Sequence, residues 1–160
     1  MPTAIDSDTP SRTSCPGISH YTALVAGILA MWLGALAFYA GIVVEVGADV
    51  LGSHTEFGFI TRQVAIWLNT IGTAVSLILL ADLTINKERQ VLRGQWFLWF
   101  LIGGSQLTLW ILHPWLDALL DPSTRSILDG SGEAFYLRHR IYLWVSVVQW
   151  GSGIIYFRML

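Results

Sequence analysis

Four uncharged, mostly apolar runs occupy positions 21–44, 63–81, 94–116 and 141–157, with lengths of 24, 19, 23 and 17 residues. A spanning helix needs roughly 17–25 such residues, so each run can cross the hydrocarbon of a bilayer. Apolar and polar residues do not alternate with period 2 within the runs, and open strand edges cannot be satisfied in lipid. Strands are therefore not expected. The last run is the shortest. Ser131 is positioned as an N-cap, and positions 132–140 can extend that helix into the interface. The pattern predicts an all-α membrane protein with four transmembrane helices, at about 20–45, 60–83, 94–116 and 133–158, in an up-down-up-down bundle. Residues 1–19 are polar, carry Pro2, Pro10 and Pro16, and lack an apolar stretch. They read as a disordered tail rather than a cleaved signal peptide.

Composition agrees with this picture. The 160 residues suit one domain of ordinary size. Charged residues make up 12% and apolar residues 54%, with mean hydropathy +0.57, whereas soluble domains carry about 25% charged residues. A net charge of −2 offers no basic field for nucleic acid. Cys15, the one cysteine, has no partner for an intramolecular disulfide or a thiolate zinc site.

Orientation follows from positive charge. With four spans, Arg12, Lys87, Arg89, Arg93 and Arg158 share one side, and Arg62, Arg125, Arg138 and Arg140 the other. The compact Lys87/Arg89/Arg93 cluster places both termini in the cytoplasm, in the inner membrane if the cell is bacterial. Several of the eight tryptophans fall near run ends, as interfacial anchors do.

Three sets of residues stand out on helical faces. Gly27, Ala30, Gly34, Ala37 and Gly41 recur at spacings of 3 and 4, a seam of small residues against which another helix is expected to dock. Asn69, Gln106 and Gln149, counted from the run ends, fall at similar depth near the bilayer centre. An unpaired amide in hydrocarbon is costly, so these three are expected to face one another, with Ser146 on the same face as Gln149. They are either interhelical glue or the floor of a polar ligand site. His54, His113 and His139 gather at the end opposite the Lys/Arg cluster, as candidate ligands for copper or haem. Their ordinary role would be interfacial hydrogen bonding, and His113 precedes Pro114, where the helix is expected to break. Glu45 with Arg62, or Arg138 with Glu133, would equally serve as an ordinary interfacial ion pair. No nucleophile elbow or phosphate-binding loop is present, and no acid lies within the runs.

The segment Met31-Trp32-Leu33-Gly34-Ala35-Leu36-Ala37-Phe38, followed by Ile42-Val43-Val44, resembles the first helix of a small membrane family of unknown function. That family includes the human transmembrane protein linked to cisplatin resistance. Phe135-Tyr136-Leu137-Arg138-His139-Arg140 is similar to the opening of its last helix. The resemblance spans about residues 20–160 and implies four helices and no established activity. A Trp-Leu-Gly helix also occurs in copper-resistance membrane domains. The expected protein is therefore non-enzymatic and without a cofactor. It sits in the lipid bilayer, as part of a membrane assembly with a protein partner or as a homo-oligomer. The alternatives are an outer-face copper or haem protein and a small-molecule carrier.

Overall fold

A computed structural model describes residues 20–52, 54–85, 93–121, 123–124 and 126–160, with the side chains of 54–57 excepted. The tail with Cys15 and the Lys87/Arg89 segment lie outside the described residues. In chain order the elements are α1 (His20–Phe38), a π-helical turn (Tyr39–Val43), α2 (Val44–Leu51), α3 (His54–Ile85), α4 (Arg93–Asp117), a hairpin of β1 (Leu120–Asp121) and β2 (Ser126–Ile127), and α5 (Gly132–Phe157). α1, the turn and α2 form one continuous rod, His20–Leu51.

The runs of the sequence become the four long helices. Three of them, His20–Leu51, Gly58–Ile85 and Arg93–Asp117, are long and apolar enough to cross a membrane. The 26 residues of α5 rise about 39 Å, which is sufficient length. Its Arg138, His139, Arg140, Ser146 and Gln149 make it more polar than the other three.

Consecutive long helices run antiparallel. Arg62 of α3 meets Asp117 of α4, whereas Ser76 meets Trp99. Gln95 of α4 meets Met159 just beyond α5, whereas Trp115 meets Arg138. α1 packs on both α3 and α5, so the four helices close a ring. The core within it comprises Val25, Leu29, Trp32 and Leu33 of α1, Val75, Leu79 and Leu83 of α3, Leu98 and Ile102 of α4, and Tyr156 of α5.

Several expectations are corrected here. The seam of Gly27, Ala30, Gly34, Ala37 and Gly41 is exposed along its whole length, and a Cβ built on any of its three glycines meets nothing within 4 Å. Among the described residues no helix docks on it, because α1 turns its larger residues inward. Close approach occurs instead at Gly72 and Gly153. A Cβ on Gly72 would collide with the Gln106 side chain and crowd Trp32, and one on Gly153 would lie 2.8 Å from Leu33 Cδ2. The Trp32 ring occupies the space these two glycines leave.

α4 does not break at Pro114 but continues to Asp117. The proline lacks only the N–H that would bond back to Trp110, and Ala118 donates to the Pro114 carbonyl at 3.0 Å. Strands do occur, among the described residues only as a short antiparallel hairpin in the α4–α5 connection, pairing Leu120 with Ile127 and Asp121 with Ser126. The Asp121 carboxylate accepts from the Ser123 N–H and hydroxyl, at 2.8 and 2.6 Å, and these bonds hold its pKa below the usual range. Gly130, at φ +77°, turns the chain into α5. Ser131 occupies the N-cap but makes no side-chain cap bond. Its carbonyl accepts from Phe135 instead.

Candidate functional site

The amide layer forms at mid-helix, as the depth count predicts. Asn69, Gln106 and Gln149 are 4%, 4% and 2% exposed. Gln149 Nε2 donates to Gln106 Oε1 at 2.7 Å, and Gln106 Nε2 donates to the Asn69 backbone carbonyl at 3.0 Å. Asn69 Nδ2 donates to the Tyr142 hydroxyl at 3.2 Å. On the edge of the layer the Trp110 indole donates to Thr73 Oγ1, which donates to the same Asn69 carbonyl. The amides thus satisfy one another across α3, α4 and α5, which is the arrangement of interhelical glue. Ser146 stands apart, since its hydroxyl donates to the Tyr142 carbonyl of its own helix.

Beyond this layer, toward the Asp117 end of α4, lies a cavity of about 400 Å³. It is bounded by the π-turn, the start of α3, the end of α4, the start of α5 and the hairpin. Most of its wall is apolar or aromatic, including Phe59, Leu116, Ile127, Phe135 and Leu143. Arg62, Asp117, His113 and His139 supply its polar groups, with Tyr39 and Tyr142. The π-turn helps to build this wall. Val44 N–H bonds to the Tyr39 carbonyl, five residues back, and both residues line the cavity.

Arg62 Nε donates to Asp117 Oδ1 at 2.7 Å. The ion pair therefore joins α3 to α4, not α3 to Glu45, which is exposed on α2. Asp117 Oδ2 lies 3.6 Å from His113 Nε2, beyond hydrogen-bond reach. His113 Nε2 is buried and has no hydrogen-bond partner. On α5 the His139 ring stacks parallel to Phe135, with centroids 5.9 Å apart and planes 4° from parallel. Arg138 turns away to the Trp115 carbonyl, at 2.9 Å, and over the Trp115 ring.

The structure thus brings two of the three singled-out histidines, His113 and His139, to one cavity. The side chain of His54 lies outside the described residues. Among the described residues no three His, Cys, Asp or Glu side chains come together as a metal-holding group. Sequence reasoning did not anticipate Asp117 as the partner of Arg62, although a signal was present. Arg62 immediately precedes the second run and Asp117 immediately follows the third, so antiparallel neighbours bring them level. The cavity offers a neutral ion pair, an unpartnered imidazole nitrogen and aromatic walls, which suits retention of an apolar molecule with a small polar end. Comparisons of the chain with family models, curated proteins and solved structures find no match.

Proposed function

We propose that the chain is an integral membrane protein, a bundle of four transmembrane helices running up-down-up-down, that binds a small, largely apolar molecule without transforming it. One observation carries the membrane part of this reading: large apolar side chains cover the outside while uncharged and charged polar side chains are buried within the apolar core. Met31 is 78% and Trp144 65% exposed, along with Trp67, Phe97, Phe100 and Leu107. Asn69, Asp82, Gln95, Gln106, Gln149 and Ser152 are buried. In water such a surface would aggregate, whereas in lipid it is the ordinary arrangement. Positive charge favours cytoplasmic termini, which puts the cavity at the outer face.

The cavity supports the binding part. Its volume falls within the range of small-molecule sites, and apolar walls around a few convergent polar groups are their usual lining. Each amide of the layer donates an internal bond, which supports a floor rather than a carrier site.

The reading is tested by filling the cavity. Ala65 lines it, and Ala65→Phe adds a ring to that space. The purified protein is exposed to an environment-sensitive apolar fluorophore in nanodiscs. Saturable binding above that of empty discs is expected for the wild type and its loss for Ala65→Phe. Equal binding by both, with the variant's thermal transition intact, would place the ligand elsewhere and sink the proposal.

A further inference from the structure

Resting on the reading of the cavity as a binding site, we infer that its ligand is a neutral, membrane-soluble ring compound bearing a carbonyl, of the quinone type, whose oxygen accepts a hydrogen bond from His113 Nε2. Four observations carry this. His113 is 9% exposed and lines the cavity, and its Nε2 is buried without a hydrogen-bond partner. A buried ring nitrogen left unpaired costs about 1–3 kcal/mol, and in the Nε2–H tautomer an occupant that accepts from it is favoured over one that cannot. The nearest carboxylate oxygen, Asp117 Oδ2, stands off at 3.6 Å, while Oδ1 is held by Arg62. The charges at the site therefore cancel within the protein, and an ionic ligand would have to break the Arg62–Asp117 pair to be matched. Rings converge from three sides, with Tyr39 on the π-turn, Phe59 on α3, and Phe135, Tyr136 and His139 on α5. Such walls favour a planar partner, which gains offset or edge contacts in addition to buried area.

Hydrocarbon and quinone of one shape separate the two ideas. The probes are 2,3-dimethyl-1,4-naphthoquinone, in which both reactive ring positions are blocked, and 2,3-dimethylnaphthalene, which lacks only the carbonyls. Each is equilibrated with full-length protein in nanodiscs, by dialysis against empty discs of the same lipid. The expected result is saturable binding of both, with the quinone about tenfold tighter. His113→Leu is expected to bring the quinone to the hydrocarbon's affinity and leave the hydrocarbon unchanged, which also reports that the variant is folded. Equal affinity of the two probes for the wild type, or an unaltered preference in His113→Leu, overturns the assignment to a carbonyl ring but leaves the cavity as a binding site. Absence of binding by either probe overturns both. If His113→Leu loses both probes, His113→Gln, which restores an N–H donor, decides. A retained preference for the quinone upholds the inference, and its loss overturns it.

Discussion

Replacement of Gln149 by leucine removes one hydrogen bond from the centre of the protein at nearly constant side-chain volume. The bond to Gln106 Oε1 is 2.7 Å long, and both residues are almost wholly buried. Interhelical hydrogen bonds within membranes contribute about 0.6 kcal/mol on average and up to about 1.7. Gln106 Oε1 would then be left without a donor in a low-dielectric interior, a loss of about 1–3 kcal/mol. Added apolar contact from leucine offsets part of this. A net destabilisation of about 1.5 kcal/mol is expected, measured as a shift in the unfolding midpoint on titrating mixed micelles with a denaturing detergent. Gln106→Leu should destabilise as well, since it removes the same bond and the one to Asn69. The double variant should cost less than the two singles together, by about 1 kcal/mol of coupling. Additivity within about 0.3 kcal/mol, or a stabilised Gln149→Leu, would refute the view that these amides bind the helices to each other.

The glycines predict an asymmetry. Gly72→Ala should destabilise by about 1–3 kcal/mol, because its new methyl meets Gln106 and Trp32, whereas Gly27→Ala, open on all sides, should be neutral or stabilise by about 0.5–1 kcal/mol. Equal effects in thermal unfolding would refute this contrast between Gly72 and the exposed seam.

How much of this was legible follows from what each residue can encode. Spanning length is a local property, so the helices emerge directly from the runs. Depth is a linear function of position along a helix, so counting from run ends levelled Asn69, Gln106 and Gln149 correctly. Which face of a uniformly apolar helix turns inward is a collective property, and the stripe Gly27–Gly41 does not mark that face, since it is exposed. Small residues permit close approach but do not require it, and α1 gains more by burying Val25, Leu29 and Trp32. The two glycines with the closest approach, Gly72 and Gly153, lie on different helices and share the ring of Trp32 between them. The level placement of Arg62 and Asp117 was available from the same depth count as the amides. The π-turn left no mark in composition, since Tyr-Ala-Gly-Ile-Val reads as an ordinary apolar segment.

That turn makes the first rod a screw with one thread miscut. An α-helix advances its faces by about 100° per residue, so the extra residue held between Tyr39 and Val44 resets the angular phase of everything above it. The lower thread is cut to fit α3 and α5 around Trp32, and the upper thread to line the cavity with Tyr39 and Val44. Deletion of a single residue anywhere in Tyr39–Val43 would repair the thread locally while rotating α2 by about 100° against the rest. Insertions and deletions in this stretch are thus far less interchangeable than substitutions, and the length of the segment carries information that its residue types do not.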